Sequence, residues 1–173
     1  MRLKKIILTS LLLAATIVIN RFLSINTGIL SIGFTFVPLM LSAIILGCKR
    51  TVIIATLADL IGALLFPFGP FFIGYTVSAS LTGLVYGLLL YQNGEFKPNI
   101  QFVIRLVLAT LIVTLLIHGG LNTLWTILTV KSASVAIIPM RIIKQLIMIP
   151  IMILTMFGLT KALQKEINVM KND

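Results

Sequence analysis

Charge, and acidic charge above all, is what this chain has least of. Four acidic residues stand against 14 lysines and arginines, and charged side chains make up 10% of the 173 residues, where an ordinary soluble domain has roughly 25%. A water-facing surface cannot be built from so little, which excludes a soluble fold. A single cysteine, Cys48, allows neither a disulfide frame nor a thiolate cluster. With one histidine, His118, and so few acids, metal-assisted hydrolysis is poorly supplied with ligands, and no metal site is expected. No glycine-rich phosphate loop closed by Lys-Ser or Lys-Thr is present, so the chain does not hydrolyse ATP by that route. No serine sits at a Gly-x-Ser-like turn that could pair with His118. The chain does not read as an enzyme, and no cofactor is expected.

What is there is apolar. Hydrophobic residues are 59% of the chain, and its mean hydropathy is +1.15. Residues 6–20, 22–48, 60–94, 106–130 and 145–160 run without a charged side chain. A spanning helix takes about 20 apolar residues, so two of these runs hold more than one passage or a passage and a loop. The fold class predicted is an all-α integral membrane protein, a six-helix transmembrane bundle forming one domain over residues 1–173. The net charge of +10 is scattered at segment ends, not gathered in a stripe with aromatics, and so speaks for topology in a lipid bilayer rather than for nucleic acid. Arg2, Lys4 and Lys5 precede the first run, Lys49 and Arg50 share a short connection, Lys97 lies in a polar loop, and Lys161, Lys165 and Lys171 close the chain. Cations on alternate connections place both termini in the cytoplasm. The basic start and first apolar run resemble a signal peptide, but Arg21 follows with no small-residue cleavage pattern, so a retained helix is expected.

The expected helices cover about residues 4–23, 34–46, 51–66, 71–91, 102–117 and 139–163, with loops at residues 24–33, 47–50, 67–70 and 92–101 marked by glycine, proline and polar residues. Pro38 and Pro139 fall in first turns, where a missing amide proton costs least. Residues 118–138 are too polar for a plain span and too apolar for a free loop. They are expected to form an outer capping segment between helices 5 and 6, irregular backbone that must line protein or water.

Several side chains stand out against this background. Ala79, Gly83 and Gly87 recur every fourth residue, and Ala55, Ala58, Gly62 and Ala63 crowd the helix before them; internal packing is the reading preferred for both. Ser10 and Ala14 make a similar stripe on the first helix, open equally to packing or to a docking partner. Asp59 is the one carboxylate inside an apolar segment, where a charge costs at least ~2.5 kcal/mol, so it must face a partner or a polar cavity. Arg21, Arg141 and Lys144 lie near outer helix ends, a side otherwise poor in cations; each alone could snorkel to lipid headgroups, but together they point to an anionic ligand group. Phe34, Tyr75 and Trp125 sit at the same outer level, either as an interfacial belt or as flat walls for a planar ligand. Ser78 follows Tyr75 on one helix face, which mixes rings with hydroxyls. His118 reads as a hydrogen-bonding core histidine, and Asn122 stands beside it in sequence.

Residues 20–25 (NRFLSI), 33–38 (GFTFVP), 58–67 (ADLIGALLFP), 74–79 (GYTVSA), 121–125 (LNTLW) and 139–144 (PMRIIK), in this order, resemble the substrate-binding subunits (S components) of energy-coupling-factor vitamin transporters, in the folate-specific branch. The resemblance implies a non-catalytic six-helix subunit in the bacterial cell membrane. It would bind one vitamin from outside and work with a transmembrane scaffold protein and two cytoplasmic ATPases. It implies docking to the scaffold through Ala-x-x-x-Ala on the first helix; Ser10-x-x-x-Ala14 departs from that pattern by one residue. For folate it implies that Phe34, Tyr75 and Trp125 sandwich the rings, that Asp59 or Asn122 pairs with the pterin edge, and that Arg21, Arg141 or Lys144 meets the carboxylates. The alternatives are another vitamin, riboflavin or thiamine, or a structural membrane protein without cargo.

Overall fold

A computed structural model describes residues 2–26, 31–67, 71–129 and 137–172. Helix α1 (Arg2–Phe22) leads into a two-residue antiparallel pairing of β1 (Ile25–Asn26) with β2 (Ser31–Ile32). Then follow α2 (Phe36–Leu46), α3 (Cys48–Leu65), α4 (Ile73–Leu90), α5 (Ile100–Leu111), a π-helical stretch at Ile112–Leu121, α6 (Asn122–Thr129), α7 (Ile137–Ala162) and α8 (Gln164–Asn172).

The helix boundaries have local causes. Gly47 joins α2 to α3 with φ at 78°, a conformation that costs a residue with a Cβ but not glycine, and the Tyr91 ring already fills the space a side chain would take. Asn99 starts α5 by accepting a hydrogen bond from the Phe102 amide at 2.9 Å. Two small residues on α4 set its approach to α3: a side chain at Gly83 would stand 2.9 Å from the Thr51 carbonyl, and one at Gly87 would run into the Cys48 backbone. The stripe on α4 is therefore internal packing, as the sequence suggested.

Four helical stretches among the described residues are long and apolar enough to cross a membrane: Leu3–Phe22, Ile73–Leu90, Ile100–Thr129 and Ile138–Ala162. The count expected was six. The second expected helix is short, 11 residues over Phe36–Leu46. The third, α3, equals α4 in length but carries Lys49, Arg50 and Asp59. The other difference concerns residues 118–138. The fifth helix does not end near residue 117; it widens into π geometry and continues unbroken to Thr129. The polarity that suggested a broken capping segment belongs to side chains turned toward α4 and α7, and a helix satisfies its own backbone while doing this. Residues 130–136, the rest of that expectation, lie outside the described residues.

A core of Met40, Ala43, Ile44, Ile54, Tyr86, Leu90, Phe102, Leu106 and Met156 is fully enclosed. Phe96 packs edge-on against Phe102 with ring centroids 5.0 Å apart. Ile6, Ile7, Leu11 and Val18 on α1, and Ile143, Leu146, Ile147 and Leu154 on α7, are exposed instead. Apolar surface of that extent is stable against lipid, not water.

The two ends of the bundle differ. At one end Lys4, Lys5 and Met170 line a single groove, so α1 begins where α8 finishes. There Asn168 pairs its side-chain amide with both backbone groups of Phe96, at 2.6 and 3.1 Å, and Lys171 donates to the Gln92 carbonyl from above the Tyr91 ring. With Lys49 and Arg50 close to Tyr91 through Gly47, the basic connections share this end. The opposite end holds Arg21, Tyr75, Trp125 and Arg141.

Candidate functional site

The sequence candidates at that opposite end fall into two groups. In the first, α1 delivers Arg21 to α3. Its Nη1 donates to the Phe66 carbonyl at 3.0 Å, where α3 ends, and its guanidinium lies against Gly62, which has no side chain to block it. Asp59, two turns back along α3, is within electrostatic reach of Arg21 and accepts a hydrogen bond from Thr76 of α4 at 2.8 Å. Phe22 and Phe66 meet edge-on at 5.2 Å beside the pair. One carboxylate thus serves α1, α3 and α4 together, which meets the requirement that a charge at this depth have partners.

The second group spans α4, α6 and α7. Trp125 donates from Nε1 to the Ser78 hydroxyl at 3.0 Å, which ties α6 to α4. Phe72 stands 5.5 Å from the Trp125 ring and 6.2 Å from Tyr75, making an aromatic wall. The Tyr75 hydroxyl meets Thr126 Oγ1 at 3.0 Å. Arg141 enters from α7 and donates from Nη1 to the Asn122 carbonyl at 3.1 Å and from Nη2 to Thr126 Oγ1 at 2.8 Å. Asn122 pairs its side-chain nitrogen with His118 Nδ1 at 2.9 Å, and its Oδ1 is buried and accepts no hydrogen bond among the described residues. Lys144, one turn along α7 from Arg141 and half-buried, is within electrostatic reach of both Arg141 and His118.

The π geometry contributes to this arrangement. By widening the helix over Ile112–Leu121 it changes the angular register at which His118 and Asn122 emerge, and π-helical stretches recur where side chains must be aimed at a site.

Of the residues singled out from sequence, Tyr75, Ser78, His118, Asn122, Trp125, Arg141 and Lys144 come together here. Arg21 and Asp59 form their own corner. Phe34 is 52% exposed, its ring 5.8 Å from Phe36, and no contact joins it to the Trp125 wall among the described residues. Ser10 and Ala14 are exposed on the outer face of α1, so that stripe is not used for packing within the chain. Thr76 and Thr126 were missed. Thr126 follows Asn122 by four, a spacing that puts it on the same helix face, but a lone threonine in an apolar run carries no signal of its own.

The model of the family described as ECF transporter, substrate-specific component, matches residues 4–163. The folate transporter FolT of Clostridium novyi (strain NT) is 35% identical over 150 residues, 86% of this chain and 83% of that one. The folate transporter FolT of Leuconostoc mesenteroides subsp. mesenteroides is 32% identical over 155 residues, 87% of this chain and 80% of that one. A crystal structure of FolT bound with folic acid superposes with a TM-score of 0.82 at 36% identity, covering 92% of this chain and 93% of the other.

Proposed function

The chain belongs to the ECF transporter substrate-specific component family, and we propose that within it this protein is the folate-binding subunit of a vitamin importer. The observation that carries the reading is the likeness, over 92% of the chain, to a FolT structure holding folic acid. The chemistry of the second cluster agrees with it. An aromatic wall of Phe72, Tyr75 and Trp125 suits a flat heterocycle, and the amide and hydroxyls of Asn122, Ser78 and Thr126 suit its polar edge. The family is one of substrate-specific transport components, not of enzymes.

The transport cycle follows from the same premise. The six passages are α1, α2, α3, α4, the continuous helix from α5 to α6, and α7. With the basic end of the bundle in the cytoplasm, both termini are inside and the polar cluster faces outward. A transmembrane scaffold protein and two cytoplasmic ATPases supply the energy, and the exposed Ser10 and Ala14 on α1 offer the scaffold a surface where another backbone can approach closely.

Absorbance of the protein as purified in mild detergent tests the reading. A bound pterin chromophore released on denaturation is the expected result. A flavin spectrum, or thiamine in the denatured extract, would replace folate by another vitamin.

A further inference from the structure

Thr126 Oγ1 is the meeting point of three hydrogen bonds, and their directions can be assigned. It lies 2.8 Å from the Asn122 carbonyl, 2.8 Å from Arg141 Nη2 and 3.0 Å from the Tyr75 hydroxyl. A hydroxyl has one proton and two lone pairs. The carbonyl can only accept, so it takes the Thr126 proton; the guanidinium can only donate, so it takes one lone pair. One lone pair remains for Tyr75, which must therefore donate its own proton to Thr126. The phenol oxygen is left with lone pairs alone, an acceptor toward anything that approaches it. Asn122 Oδ1, one turn earlier on the same helix, is a second acceptor, buried and accepting no hydrogen bond among the described residues.

We propose that Thr126 is a positioning residue: with its proton on the Asn122 carbonyl and one lone pair on Arg141, it can only accept from Tyr75, which fixes the phenol oxygen as a hydrogen-bond acceptor and so tunes the site to a ring edge that carries N–H donors. The proposal rests on the reading of this cluster as a folate site. It departs from the expectation that Arg141 meets the ligand's carboxylates, since Nη1 and Nη2 both donate to α6. The donor edge in question is the amino group and adjacent ring N–H of a 2-amino-4-oxopteridine. If Thr126 is replaced by valine, the phenol proton loses this acceptor and the phenol oxygen is no longer held as an acceptor toward the ligand.

The test is a discrimination ratio, measured on the purified full-length protein by calorimetry. Dissociation constants are compared for folic acid and for its analogue with hydrogen in place of the 2-amino group. Thr126→Val should lower the ratio of analogue to folate by about three- to tenfold, the worth of one hydrogen bond. Tyr75→Phe should lower it equally, and Thr126→Val should not lower it further in the Tyr75→Phe background. Thr126→Ser, which keeps the hydroxyl, should retain the wild-type ratio. Thr126→Val leaves the cation and the side-chain volume intact. A ratio unchanged in Thr126→Val would overturn the proposal, and so would a ratio lost in Thr126→Ser. A wild-type protein that does not bind folic acid at all would instead overturn the functional reading beneath it.

Discussion

Two arginines stand at the same end of the bundle and are held in opposite ways. Arg21 is answered by a charge: Asp59 lies within reach, and Thr76 holds that carboxylate in place. Arg141 is answered by neutral oxygens, the Asn122 carbonyl and the Thr126 hydroxyl, and Lys144 adds a second cation one turn away. The sequence has four acidic residues; Glu95 lies in the connection at the basic end, Glu166 on α8 at the same end, and Asp173 closes the chain. The corner of α1, α3 and α4 is therefore close to charge balance within the chain, whereas the cluster of α4, α6 and α7 keeps a positive surplus. A balanced ion pair suits a lock between helices, and a surplus suits the capture of an anion.

The largest effect expected from this contrast is on stability. Asp59→Leu leaves Arg21 without its carboxylate and should lower stability by about 3 kcal/mol, the lower end of the range for breaking a buried pair. Arg141→Met leaves no carboxylate unpaired among the described residues and should cost less. Thermal unfolding in detergent checks both, and a larger loss from Arg141→Met would reverse the comparison. Pairing Asp59→Leu with Arg21→Met should recover part of the loss, since the two changes act on one interaction.

An intermediate effect is expected on affinity. Lys144→Ala should weaken folate by about 1.5 kcal/mol, as expected for one charge-assisted hydrogen bond, and should leave a pterin without the glutamate tail nearly unaffected. Equal losses for both ligands, measured by calorimetry, would move the surplus charge away from the tail.

The smallest effect on binding is expected on the outer face of α1. Ala14→Leu adds bulk to an exposed face, so folate affinity in the purified subunit should be unchanged while uptake into cells expressing the whole transporter falls. A parallel loss of binding and uptake would mean that this face supports the site after all.

The parts legible in the sequence were those with a strong physical signature. Long uncharged runs located the helices; Gly47 marked a turn, and the spacing of Gly83 and Gly87 marked the close packing of α4 on α3. Cations in an apolar setting pointed to Arg21, Arg141 and Lys144, and the gathering of rings at the same outer level to Tyr75 and Trp125. The break expected after residue 117 did not occur, because Gly119, Gly120 and Asn122 look like helix breakers in water, while within the bundle a helix that closes its own hydrogen bonds is favoured whatever its residues. The division of the cations into a lock and a surplus was not legible either. It depends on which helices adjoin, and on Thr76 and Thr126, whose hydroxyls acquire meaning only from the groups that tertiary structure brings within 3 Å of them.

Trp125, the only tryptophan in the chain, offers the most direct test of the central claim that the α4, α6 and α7 cluster is a folate site. Its ring lies in the aromatic wall and its Nε1 is fixed on Ser78, so a pterin stacked there should quench its emission. Titrating ligand-free protein with folic acid should give saturable quenching at one equivalent, and riboflavin or thiamine should give none that saturates. Unchanged Trp125 emission, in a protein that calorimetry shows to bind folic acid, would place the ligand elsewhere and contradict the account.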